Sequence, residues 1–413
     1  MYWVPFLHIY QPPTQSESIL RQVAEECYRP LVRLLKENTN ARITLNISAC
    51  LTEQLARCGY SDIIDGFGKL AHEGKVEFTG SAKYHPILPL IPPEEIKRQI
   101  DLNHKTNSSY FRGVYQPRGF FPPEMCYSRE VAKVVRNMGF EWILADEIAY
   151  GGKLGAYRND RLYRIGSTFP LKVFFKEREI SSAIAYGRCR TKREFMRLLN
   201  PCINLRDRYL LTGNDGEIYG HHHRGQEKLL VEIFNDKQIK TCTISQLNNI
   251  FPQERCVEPV ASSWSVWEDE LKMGIPYPQW HDPENKIHQY QWELARLAID
   301  AVNKIQEKQK NTEFLPQARQ FLDEGLHSCQ WWWASCRPWW SMQMIVQGAN
   351  MLTLAITSLK KCGIAASSVN NAYKLQKKIM KSTLEWETSG RIKTLQSEYL
   401  TNHREVNSLL SFN

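Results

Sequence analysis

No Cys-x-x-Cys pair occurs in this chain, no Gly-x-Gly-x-x-Gly follows a strand-like run, and no stretch approaches about 18 consecutive apolar residues. The first absence removes the commonest zinc-site signature, and the second weakens a dinucleotide-binding sheet. The third leaves no membrane span to expect. The opening MYWVPFLHIYQPP has neither a basic leader nor a small-residue cleavage site, so no secretion signal is expected. Long blocks of one charge sign are also missing. The net charge of +9 comes from Lys and Arg scattered along the chain, which argues against nucleic acid as a partner. The lysine-rich stretch 374–381 has helical spacing and reads as a solvated face. Eleven cysteines, an odd number without regular spacing, fit a reducing cytoplasm better than a disulfide framework. No cofactor and no metal site is expected. The 413 residues are 42% hydrophobic, enough for a large core.

What is present falls into two grammars. Up to residue 258, short β-type runs alternate with helical stretches. The strand candidates are Trp3–Ile9, Arg42–Ile47, Lys75–Thr79, Gly119–Phe121, Glu141–Ala145, Leu171–Phe175 and Tyr209–Thr212, with Thr241–Ile244 a weaker one. Segments such as Ile19–Lys36 and Pro93–Thr106 lie between them with helical spacing. Strands separated by helices imply parallel pairing through crossovers, and seven or eight such units suggest a closed or nearly closed barrel. From 259 to 413 the pattern is helical. It includes Asn285–Gln309, Leu315–Gly325, Ser341–Lys361, Ser367–Trp386 and Gly390–Leu410, with no flexible linker before it. The expectation is a catalytic barrel over 1–258 and a helical region over 259–413 packed on it, with aromatic loops reaching the cleft.

In parallel β/α barrels, reactive side chains sit at or just after the C-terminal ends of strands. Those positions hold His8 and Gln11, then Lys83 and His85, then Glu124, then Asp146 and Glu147, and finally Asp215 and Glu217. Acids gathered at one mouth can serve glycosidic cleavage, metal binding or proton abstraction. Cleavage needs one carboxylic acid for the leaving oxygen and one carboxylate to attack or to activate water. Glu124 lies in an apolar, proline-flanked turn that can hold it rigidly, and Asp215 precedes a glycine that allows a tight bend. Consecutive histidines 221–223 do not readily chelate one ion. Tryptophans are the other signal: Trp264 and Trp267 in SSWSVWEDE and five more in HSCQWWWASCRPWW offer flat faces for sugar rings. Trp331, Trp332 and Trp333 are consecutive and cannot all face one way.

These residues resemble glycoside hydrolase family 57, whose members act on α-glucans as amylases, 4-α-glucanotransferases and branching enzymes. Its first motif is similar to HIYQPP with His8 and Gln11, and its second to GKVEFTG with Glu77, running on into the stretch with His85. FFPPEM, with Glu124, resembles the motif of the nucleophile. DGEIYG, with Asp215, resembles that of the acid/base, and HSCQWWWAS resembles the aromatic fifth motif. Phe121 stands where many members have Trp, and Tyr10 where the common first motif has its second His.

The resemblance implies an incomplete parallel (β/α)7 TIM-like barrel followed by an α-helical region. It also implies a retaining α-glucan hydrolase or transferase using Glu124 and Asp215, with an α-glucan as its partner. His8, Gln11, Glu77, His85, Trp264, Trp267 and Trp332 would then bind substrate. Two other readings stay open. One is a metal-dependent deacetylase or mannosidase-like enzyme using His8, Asp146 and the histidines after Asp215. The other is a glucan-binding protein without turnover.

Overall fold

The computed structural model describes residues 1–166, 170–199, 208–308 and 313–403. The chain divides into two compact units. The first comprises Met1–Gln11, Gln15–Lys83 and Leu88–Glu268, and the second Pro12–Thr14, Tyr84–Ile87 and the chain from Asp269 onward.

The first unit is organised by β1 (Tyr2–Ile9), buried on both faces as strands of covered parallel sheets are. It pairs in parallel with β2 (Ile43–Ile47) on one side and β8 (Tyr209–Asp215) on the other. β2 continues to β3 (Val76–Phe78). A second sheet runs from β4 (Gly119–Phe120) through β5 (Trp142–Asp146) to β7 (Lys172–Lys176), all parallel. Two short seams join the sheets. Gly80 donates to the Gly119 carbonyl (2.8 Å) and accepts from the Phe121 amide (2.9 Å), while the Glu177 amide donates to the Leu211 carbonyl (2.8 Å). The circuit β1-β2-β3-β4-β5-β7-β8 closes a (β/α)7 barrel.

Helices cover the outside between most of these strands, with Ser48 and Ser128 side chains accepting from the first-turn amides. Between β5 and β7 the chain instead forms β6 (Leu162–Ile165), antiparallel to β7, and this pairs with the late β10 (Glu254–Val257). A two-residue β9 (Lys240–Thr241) pairs with the start of β1. Gly119 has a packing reason: a Cβ there would lie 1.9 Å from the Trp142 ring on the neighbouring strand.

Strand alternation sorts the side chains. Val4 and Phe6 of β1, Trp142 and Leu144 of β5, Phe174 of β7, and Tyr209 and Leu211 of β8 form the barrel's interior core. Trp3, Leu7, Ile9, Leu210 and their like pack outward against the helices. By the same parity His8, Asn46, Thr79, Asp146, Lys176 and Asp215 point inward at the C-terminal end. They form a polar top layer above an apolar interior.

The second unit is helical, built on Lys286–Lys308, Leu315–Gly325, Met342–Thr357, Ala366–Thr388 and Arg391–Asn402. The expected last helix runs past Asn402, and its residues from 404 on lie outside the described residues. Trp292 and Trp331 stack at 4.2 Å in the interior of this unit, and Trp292 Nε1 donates to the Trp280 carbonyl (2.8 Å). Among the described residues, no helix is long and apolar enough to cross a membrane.

Candidate active site

Glu124 follows β4 on a single turn, Pro123–Met125, with φ 58° and ψ 20°. Met125 is left-handed too (φ 48°). Non-glycine residues in this region cost about 1–3 kcal/mol each and persist where surrounding contacts over-determine them. The contacts are visible. Tyr127 and Ser262 exchange both backbone hydrogen bonds (2.8 and 3.2 Å), forming a clasp that lays 262–264 beside the turn. Trp264 then grips Glu124 twice, its amide on the Glu124 carbonyl (3.2 Å) and its indole Nε1–H on Glu124 Oε2 (2.9 Å).

Asp215 ends β8 directly opposite His8 in register. Burial pushes its carboxyl up to about 6, while the Lys176 ammonium pulls the other way. Low local polarity is what raises this carboxyl. Two residues on, Glu217 is buried, and its Oε1 accepts from the Tyr28 hydroxyl, the Tyr10 amide (3.3 Å) and Gln11 Nε2 (3.4 Å). Burial first and the Asp215 charge second lift its carboxyl to about 8, with the Tyr28 and Tyr10 hydrogen bonds opposing. Tyr28 comes from a π-helical segment, Ala24–Tyr28, a local widening frequent at functional sites. Cys27 of the same segment donates to the Gly216 carbonyl (3.1 Å), so this bulge braces the turn after Asp215.

His8 lies in the top layer with Nδ1 2.8 Å from Asn46 Oδ1, and Asn46 in turn donates to Thr79 Oγ1 (3.1 Å). Burial drives the His8 pKa down to about 4, so the ring is neutral at ordinary pH. Phe121 packs at 4.7 Å and Trp264 at 6.3 Å from it. Across the mouth, Asp146 takes Arg178 through Nε and Nη2 (2.9 and 2.6 Å) and Lys176 on its other oxygen (3.0 Å). Burial works to raise this carboxyl, but the two cations prevail and hold it below the ordinary aspartate range. Arg178 also donates to the carbonyls of Val266 (2.6 Å) and Ser263 (3.2 Å), which fixes the loop carrying Trp264.

Of the residues singled out from the sequence, Glu124, Asp215, His8, Gln11 and Trp264 lie in or beside this top layer of the first unit. Trp267 is nearby, under the Arg178 guanidinium at 5.7 Å. Glu77 is not brought to the mouth. It shares the register of Thr44, one pleat period below the Asn46 level, and accepts from the Thr44 hydroxyl (3.2 Å) and the Ser245 amide (3.1 Å). That geometry ties the barrel's lower interior together. His85 and Trp332 belong to the second unit. There His85 is buried with Nδ1 3.0 Å from Ser328 Oγ, and half-buried Trp332 packs on Trp333 and Trp339.

Lys83 pairs with Glu53 (2.7 Å) and Glu147 accepts the Arg178 amide (2.8 Å), so both have structural partners. Lys176, Arg178 and Tyr28 were not among the residues picked out from sequence. Lys176 stood at a strand end and could have been found by the same rule, whereas Tyr28 is a helix residue without any pattern.

The residues that the metal-dependent reading would draw on have other partners. Asp146 is held by two cations, His221 by Glu26 (2.6 Å) and His223 by the Ala185 carbonyl (2.9 Å). Among the described residues no group of three or more His, Cys, Asp or Glu converges as a ligand set.

Comparison with known proteins agrees with the fold. The chain is 32% identical over 142 residues to an alpha-amylase of Pyrococcus horikoshii, a match covering 34% of this chain and 22% of that protein. It is 22% identical over 304 residues to a 4-alpha-glucanotransferase of Thermococcus kodakarensis, covering 69% of this chain and 45% of the relative. The chain thus spans less than half the length of these relatives. Among solved structures, a GH57-type branching enzyme from Pyrococcus horikoshii superposes with a TM-score of 0.69 at 18% identity, covering 91% of this chain and 94% of that one. The model of glycosyl hydrolase family 57 matches residues 4–259, from the first barrel strand past Glu124 and Asp215, and the chain belongs to that family.

Proposed function

We propose that this protein is a retaining glycoside hydrolase or glucanotransferase of α-glucans, with Glu124 as nucleophile and Asp215 as acid/base. The observation that carries the reading is the contrast between the two carboxyl groups. Glu124 is half-buried on a braced turn, and its Oε2 accepts an indole N–H, a contact that suits a carboxylate. Asp215 is raised to about 6 by burial, which favours a proton on it.

In the first step Glu124 Oε attacks the anomeric carbon as Asp215 delivers its proton to the departing glycosidic oxygen. The C–O bond to the leaving sugar breaks, and a glycosyl ester of Glu124 forms. In the second step Asp215, now a carboxylate, takes a proton from water or from a sugar hydroxyl, and that oxygen displaces Glu124. Water gives hydrolysis and a sugar hydroxyl gives transfer. Neutral His8 and Gln11 offer hydrogen bonds to sugar hydroxyls, and Trp264 combines an apolar face with its grip on Glu124. Retention needs the two carboxyl groups about 5–5.5 Å apart in the working complex. Substrate identity is part of the same proposal, as is a cytoplasmic setting.

The test is incubation with maltoheptaose, with products followed by chromatography and the anomer first released read by NMR. Longer and shorter α-configured products indicate a transferase, and shorter α-configured products alone a hydrolase. A β-configured first product would overturn the retaining mechanism. Undiminished turnover in Glu124→Gln and Asp215→Asn would overturn the assignment of both residues.

A further inference from the structure

Lys176 ends β7 on the inward side, in the same layer as His8 and Asp215, and only 5% of it is exposed. An ammonium carries three donors and no acceptor. Among the described residues its one polar partner is Asp146 Oδ2 at 3.0 Å. Asp146 does not need it for charge balance, because Arg178 already occupies the other oxygen with two N–H groups. The lysine stem is packed tightly: a Cβ on Gly213 would lie 3.0 Å from its Cγ and 3.1 Å from its Cδ. The ammonium lies 5.7 Å from the Trp264 ring, the ring whose N–H holds Glu124. A buried cation with spare donors is costly unless something else receives them. This one sits where the substrate of the proposed reaction would lie.

We propose that Lys176 is a catalytic residue whose ammonium donates a hydrogen bond to a ring hydroxyl of the glucose unit that is transferred. The assignment rests on the α-glucan reading above and adds a substrate contact to it. A neutral hydroxyl is the fitting acceptor, because Glu124 and Asp215 nearby disfavour an anionic ligand. Positive charge develops at the anomeric carbon in the transition state, so an ammonium beside the 2-hydroxyl would oppose it. That leaves the 3- or 6-hydroxyl of the ring, farther from the reacting carbon.

The experiment compares wild type with Lys176→Met on α-maltotriosyl fluoride and on its 3-deoxy and 6-deoxy analogues, modified in the ring that bears fluorine. The loss of kcat/KM on the parent donor is expected to be about 10- to 100-fold, the range for a hydrogen bond to a charged group. On one of the two deoxy donors, wild type and variant should differ by less than about threefold. An equal loss on all three donors, or none on the parent, overturns the assignment. If Lys176→Met melts at markedly lower temperature, the assays are run below that temperature, and the comparison among donors on the same variant separates a lost contact from a lost fold. If wild type neither turns over the fluoride nor binds maltoheptaose by calorimetry, the α-glucan reading has failed and this assignment falls with it. If wild type is active and the variant is indifferent, only Lys176 is lost.

Discussion

Two adjacent layers of one barrel interior differ in almost every chemical respect. The lower one holds Phe6, Leu144, Phe174 and Leu211 in a dry core. One pleat period higher on the same strands stand His8, Asp146, Lys176 and Gly213, with Asp215 closing the layer. The strands give both layers the same geometry, so the difference is one of side-chain choice alone. Rigidity comes from below, and above it the same rigid strands present groups with perturbed protonation. Polar groups here are held by neighbours: Arg178 on Asp146, Trp264 on Glu124, and Asn46 on the neutral His8.

Substitutions that remove the chemistry without touching the lower layer should show the largest effect. Glu124→Gln keeps an acceptor for Trp264 yet removes the proposed nucleophile, and kcat is expected to fall by at least about 10⁴-fold with little change in melting temperature. Asp215→Asn is expected to cost about 10²- to 10⁴-fold, the usual range for a positioned general acid. Single-turnover kinetics would check both. Phe174→Ala inverts the pattern. Deleting this buried ring should cost about 3–5 kcal/mol of stability by chemical denaturation, with kcat of the folded fraction nearly unchanged. If kcat fell as steeply as in Asp215→Asn, the division into a supporting and a reacting layer would be wrong. Trp264→Phe keeps an aromatic face but loses the N–H to Glu124, and a 10- to 100-fold loss in kcat/KM is expected.

A smaller effect sharpens the electrostatic side of the comparison. Asp215 must carry a proton to act as acid, so kcat/KM should fall as pH rises through about 6, where burial has placed its carboxyl. Lys176 pulls that value down, and Lys176→Met should therefore move the alkaline limb upward. A downward move in the pH–rate profile would show that the cation acts on a different group.

Much of this was legible in the sequence because barrels confine chemistry to strand ends. The runs GFFPPE and LLTGND each end in one acid, and His8 stands at the end of β1 just before Ile9. Glu77 shows where strand-end reasoning loses resolution. Its strand ends at Phe78 and the polar layer begins with Thr79, so Glu77 lies one pleat too low even though it borders the right motif. Lys176 also stands at a strand end, and its parity with Phe174 turns it inward. β6 and β10 escaped because neither bears the continuous apolar signature of a covered parallel strand, β10 being largely exposed. Tyr28 had no sequence signal at all. A π-helical widening and the distant Glu217 together make it part of the site.

The central claim is that Glu124 forms a covalent bond to the sugar, and trapping tests it most directly. Wild type would be incubated with a 5-fluoro-α-glucosyl fluoride, digested and sequenced by mass spectrometry. The account predicts one added fluoroglucosyl group on the peptide containing Glu124, accumulating further when Asp215 is changed to Asn with the same activated donor. An adduct on any other carboxylate, or rapid consumption of the fluoride with no adduct at any time point, would contradict it.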